Sequence, residues 1–249
     1  MLKLFLSNFK RTNENIILAT PMVLCIIIIN LYCNYIKNNI STFSQAIVSM
    51  LTLCILIGGS LSGFLYMTKK ALSLDKRMFV YKKDQNNALK ELFLAFPKGV
   101  GRLFPSVTLV IILSFLIVIS AYLVTLAPMF INWTIKYYSI YTSSNLYKLV
   151  LLQMLTITYF WVLWIPEVVY NDKNPFKAFW KSLKNLKISF FKTTSLFLTI
   201  ILIFISLQII MYLLLQYPVA YFLALLTYYY ALLYIIILVF SYYEKNFYK

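Results

Sequence analysis

NPFKAFWKSLKNLKISFFKTTSLFLTIILIFISLQIIMYLLL, residues 174–215, opens as a lysine run threaded with aromatics and, after Lys192, becomes uncharged and apolar. The apolar half, Thr194 to Leu215, is long enough to cross a hydrocarbon core of roughly 30 Å as a helix, which takes about 20 residues. Five more stretches have the same character: Ile16 to Tyr35, Ala46 to Met67, Val107 to Met129, Leu149 to Tyr170 and Val219 to Tyr242. Their apolar residues are continuous, whereas strands of a membrane barrel alternate over about ten residues. The sequence is 62% hydrophobic and 12% charged, with a mean hydropathy of +0.81, against about 25% charged in soluble domains. The expected fold is therefore all-α, a polytopic membrane protein with six transmembrane helices. The first span is expected to be retained, because it is too long for a signal peptide and no small-residue cleavage pattern follows at Asn30 to Asn39.

Charge sets the expected orientation. Of 23 basic residues, only Lys37, Lys136 and Lys148 fall on the side reached after the first, third and fifth spans. The other side holds both termini and the connections between spans two and three and between spans four and five. A basic excess beside span ends faces the cytoplasm. The expectation is a multi-pass plasma-membrane protein with both termini cytoplasmic, whose basic inner face attracts anionic lipids of the bilayer at about 1 kcal/mol per Lys or Arg. The Tyr-rich connection NWTIKYYSIYTSSNLYK, residues 132–148, is expected along the outer leaflet.

Read as a helix, residues 176–192 put Lys177, Lys181, Lys184 and Lys192 on one side and Phe176, Phe179, Trp180, Leu183, Leu186 and Phe190 on the other. Lys187 sits at the border, where it can snorkel. Such a helix lies in the membrane interface. Nucleic acid is not the expected partner, since that needs cations and stacking rings aimed at one ligand. Similar segments begin at Leu4 and Leu92, giving starts at Leu4, Leu92 and Phe179 with a near-constant period. The single membrane domain, 1–249, is thus read as repeat-like units 4–91, 92–178 and 179–249. Each unit is a cytoplasmic amphipathic interfacial helix followed by a two-span hairpin.

Chemistry-bearing residues are few. There is no His, which removes the commonest general base and metal ligand. Cys25, Cys33 and Cys54 lack paired metal or redox spacing, and neither G-x-x-x-x-G-K-[ST] nor G-x-S-x-G occurs. The expectation is a non-enzymatic protein with no cofactor and no metal. Glu167, after Pro166 and about one turn from the end of span four, reads either as an interfacial carboxylate paired with a lysine or as a gate or ligand contact. Glu14 holds a similar place before span one, which would make an inner ring of Glu14 and Glu167. Gly59-x-x-x-Gly63 suits close helix packing. Gln153, Thr156, Thr158 and Gln208 are expected to bond between helices. Lys177, Trp180, Lys181, Lys184 and Lys187 form the expected membrane-surface or partner-docking set.

In the order of its features, GGSLSGFLYMTKKALSLDK (58–76) followed by WIPEVVYNDKNPFKAFWKSLKNLK (164–187), the chain resembles bacterial membrane proteins of the YesL-like kind. It is similar in the same way to the membrane domain of some glycerophosphodiester phosphodiesterases. The resemblance implies an accessory role in an envelope or transport system and carries over no catalytic residue. Two other functions are expected as alternatives: a permease subunit of an ATP-driven exporter, partnered by a separate ATPase or other membrane subunit, and a lipid- or amphiphile-binding immunity-type protein.

Overall fold

A computed structural model describes residues 2–39, 42–74, 82–131, 143–171 and 174–248. The Tyr-rich connection lies outside them up to residue 142. The described residues form helices α1 (Leu2–Glu14), α2 (Ala19–Asn39), α3 (Phe43–Leu74), α4 (Lys82–Ile131), α5 (Ser143–Tyr170), α6 (Pro175–Leu213) and α7 (Pro218–Phe247). A single 3-10 turn, Ile16–Leu18, joins α1 to α2, and no strand occurs among the described residues. Among the described residues, six stretches are long and apolar enough to cross a membrane: Ile16–Asn39, Ser44–Leu74, Leu89–Ser120, Leu151–Tyr170, Pro175–Leu213 and Pro218–Phe247. The chain is an all-α, multi-pass integral membrane protein.

Local chemistry explains the helix starts. Thr42 and Gln45 form a capping box, the Gln45 amide bonding Thr42 Oγ1 at 3.3 Å and the Thr42 amide bonding Gln45 Oε1 at 3.2 Å. Asn174 caps α6 by accepting from the amides of Phe176 and Lys177 at 3.0 and 3.4 Å. Pro175 and Pro218 occupy first helical positions, where a missing N–H costs nothing.

The expected interfacial helices have three different fates. α1 is set off from α2 by Asn15, whose side chain bonds the Arg11 carbonyl at 2.9 Å. α6 bends at Ser189, with φ −116° and ψ 23°. α4, in contrast, runs unbroken through Leu92–Ser106. The reason is a continuous buried face, Leu92, Ala95, Gly99, Leu103 and Ser106, which holds that segment upright along α3.

The α3–α4 pair is antiparallel and is the most extensive helix packing among the described residues. Gly63 faces the Phe96 ring, and Gly99 faces the Ser62 carbonyl and Gly63 Cα. A Cβ added to Gly99 would stand 2.9 Å from that carbonyl oxygen and 3.1 Å from that Cα, both backbone atoms. One added to Gly63 would press on Phe96 at 2.8 Å, while one on Gly59 meets only Phe104 at 3.8 Å. Of the two glycines singled out in the sequence, Gly63 closes the interface and Gly59 has room beside it. Between α3, α4 and α5, a void of about 10 Å³ is lined by Leu61, Val107, Trp161 and other apolar side chains.

α1 lies across α7 with its polar side inward. Asn8 and Thr12 are fully buried, whereas Leu6 and Phe9 are exposed. Tyr230 donates to Asn13 Oδ1 at 2.6 Å, Tyr234 to the Phe5 carbonyl at 3.2 Å, and Arg11 to Ser241 Oγ at 3.2 Å.

Gly99→Ala is expected to destabilise the protein by about 1–3 kcal/mol through backbone overpacking. Gly59→Ala, with ordinary contact and better helix propensity, is expected to be neutral or mildly stabilising. Thermal unfolding of both variants in one detergent checks this; equal losses would remove Gly99 as the point of closest approach.

Candidate functional site

The side chain that organises the lysine-rich end is Glu167, in the last turn of α5 and 0% exposed. A carboxylate there stands near the negative end of a helix dipole, the unfavourable end for an anion, and outside water. Its neighbours supply what both conditions require. Glu167 Oε1 accepts from Lys181 Nζ at 2.7 Å and from Asn171 Nδ2 at 3.0 Å. Glu167 Oε2 accepts from the Tyr243 hydroxyl and from Asn185 Nδ2 at 3.3 Å. Asn171 also donates to the Tyr243 oxygen at 2.7 Å. Two donors per oxygen fill the roughly four acceptor positions of a carboxylate, so a further ligand would have to displace one of them.

Three helices meet at this carboxylate. On α6, Lys181, Asn185, Ser189 and Thr193 recur every fourth residue and so form one stripe. Lys181 and Asn185 hold Glu167. Ser189 Oγ bonds the Asn185 carbonyl at 2.9 Å and shares a 3.0 Å hydrogen bond with Thr193, which shares another at 2.9 Å with the Tyr242 hydroxyl. The adjacent tyrosines of α7 thus serve different helices, Tyr242 bonding Thr193 of α6 beyond the bend and Tyr243 bonding Glu167 of α5. α5 is held from the other flank by Lys69, whose Nζ bonds the Val169 carbonyl at 2.9 Å and lies 4.8 Å from the centre of the Tyr170 ring. A cation on the last carbonyls of a helix is the favourable arrangement.

The first segment of α6, residues 175–188, has three sectors where two were expected. Ala178, Ser182, Phe179 and Leu186 face the bundle; Phe179 packs edge-on to Trp164, with centroids 4.9 Å apart, and Trp164 Nε1 donates to the Pro175 carbonyl at 2.9 Å. Phe176 and Trp180 point outward, Trp180 being 70% exposed. Lys177, Lys184 and Lys187 are exposed next to them. Small residues at Ala178 and Ser182, one helical turn apart, are the sequence signal of the bundle-facing side.

The other expected site residues are dispersed. Glu14 pairs with Lys10 of its own helix at 3.9 Å and is not among the groups holding Glu167. Thr156 and Thr158 bond carbonyls of their own helix at 2.8 and 2.9 Å. The interhelical bonds nearby are one shared between the Tyr159 and Thr194 hydroxyls at 2.9 Å and one donated by Trp161 to Ser114 at 3.0 Å. Cys25, Cys33 and Cys54 are free thiols, and no cluster of three metal-ligating side chains occurs among the described residues. Tyr243 and Asn185 were not singled out in the sequence; their partner is 76 and 18 residues away.

Compared with protein-family models, curated proteins and solved structures, the chain matches none.

Lys181→Gln leaves the buried carboxylate without its cation. The expected loss is about 2–3 kcal/mol, below the roughly 3–5 kcal/mol of a fully buried pair, because Lys181 is half-exposed and three neutral donors remain. Adding Glu167→Gln should recover part of that loss. A thermal-unfolding cycle of the two single variants and the double variant measures the coupling, and strict additivity would mean the pair is not a clamp.

Proposed function

We propose that the chain is a non-enzymatic accessory or membrane subunit of a transport or envelope system. It sits in the plasma membrane with both termini in the cytoplasm and uses the inner segment of α6 as its docking surface. The observation that carries this reading is the outward set Lys177, Trp180, Lys184 and Lys187 on a segment whose opposite side is clamped to the bundle through Glu167. A docking surface gains affinity when it is held in place beforehand, because less ordering remains to be done on binding. The basic excess on that side supports the cytoplasmic orientation. The close packing between α3, α4 and α5 favours a structural subunit over a permease with a passage there. On this reading the YesL-like layout reflects a shared accessory role, and a separate ATPase or other membrane subunit is the kind of partner to expect.

One observation favours the amphiphile-binding alternative. A groove of about 270 Å³ lies between α6 and α7, lined by Leu207, Ile210, Leu214, Leu223 and Ala224, and its lining suits an acyl chain.

Orientation and docking are tested together. In a background with the three native cysteines replaced, Lys184→Cys should react with a membrane-impermeant maleimide only after the cytoplasmic face is opened. Labelling in intact cells would reverse the topology. Wild-type protein extracted in mild detergent should run larger than its 29.2 kDa chain on native gels with the partner subunit attached, and Lys177→Gln/Lys184→Gln/Lys187→Gln should release it. A partner-free wild type would sink the accessory reading.

A further inference from the structure

We propose, resting on the docking reading above, that Lys177, Lys184 and Lys187 bind the phosphate groups of anionic phospholipids in the adjacent leaflet, with Phe176 and Trp180 seated among the acyl ends. Lys181 takes no part in that surface, its ammonium being committed to Glu167 inside the bundle.

Length places the segment at the right level. α6 has 39 residues, about 58 Å at 1.5 Å each, nearly twice a hydrocarbon core of roughly 30 Å. The bend at Ser189 falls where the excess begins, so that the apolar part beyond it suffices to cross and residues 175–188 remain at the headgroups. At about 100° per residue, Phe176, Lys187 and Trp180 occupy one edge of the outward arc, with Lys184 and Lys177 about 80° and 100° from Phe176. Exposed rings are ill-suited to water and well suited to the interface. Their lysine neighbours are then aimed at phosphates.

Charge complementarity points the same way. No acidic residue occurs between Asn174 and Leu213. Among the described residues, Lys177, Lys184 and Lys187 have no carboxylate at ion-pair distance, while Lys181 is committed to Glu167 at 2.7 Å. Three of the four lysines are thus available to an external anion and the fourth is not. An interleaved ring and lysine arc on a span-leading helix fits a bilayer better than a soluble acidic protein, which would leave Trp180 in water.

Full-length protein in mild detergent is titrated with short-chain phosphatidylglycerol, phosphatidylcholine and inorganic phosphate, with binding read by native mass spectrometry. Lys177→Gln/Lys184→Gln/Lys187→Gln should weaken phosphatidylglycerol binding on the order of a hundredfold, about fivefold per lysine, and leave phosphatidylcholine unchanged. Lys181→Gln should change it less than twofold while lowering the unfolding temperature; Glu167→Gln/Lys181→Gln supplies the same comparison in a better-folded background. A loss at Lys181 equal to that of Lys184→Gln overturns the division of roles. Inorganic phosphate binding as tightly as the lipid overturns the lipid as ligand. If the triple variant keeps phosphatidylglycerol but loses its partner on native gels, the lipid proposal falls and the docking reading stands. If it loses neither, both fall.

Discussion

A carboxylate withdrawn from water must be supplied with donors, and at Glu167 that requirement determines how the last three helices meet. Each oxygen takes two donors, drawn from Asn171 just after α5, from α6 and from α7. Removing one donor leaves an anion in an environment that solvates it poorly, which is why such a site acts as a clamp more than as a source of net stability. The α6 stripe from Lys181 to Thr193 follows from it: the polar side chains that serve Glu167 continue past the bend to Tyr242. A bend in a membrane helix frees backbone groups that need partners, and here Ser189 takes the Asn185 carbonyl.

The other half of the molecule is held by a different principle. Apolar burial drives little association between helices when lipid is as apolar as leucine, so close approach has to come from small side chains. Gly58, Gly63 and Gly99 provide it between α3 and α4. The pair is consequently tight where the α5–α7 end is polar. Apolar packing joins the two halves, and Lys69 and Trp161 add polar links, from α3 to the end of α5 and from α5 to Ser114 of α4.

Six spans were legible in the sequence because continuous apolar length is a local property. The pairing of Glu167 with a lysine was legible, because its position after Pro166 and the nearby Lys run are also local, but that position reads as interfacial and its full burial was not foreseen. What escaped was relational. Whether Leu92–Ser106 reclines or stands upright depends on Ala95 and Gly99 finding α3, and nothing within that stretch says so. The lysines of α6 look alike in sequence; Lys181 differs from Lys184 only because α5 lies on its side of the helix. Tyr243 reads as one more tyrosine among 21 until its hydroxyl is placed beside a carboxylate 76 residues earlier.

The inverted sidedness of α1 carries a consequence for biogenesis. Its buried polar side packs against α7, and Asn13, the Phe5 carbonyl and Arg11 bond Tyr230, Tyr234 and Ser241, residues translated 217 to 230 positions later. Until α7 has been made, those three groups lack their partners. A helix made early is therefore seated only after a helix made late.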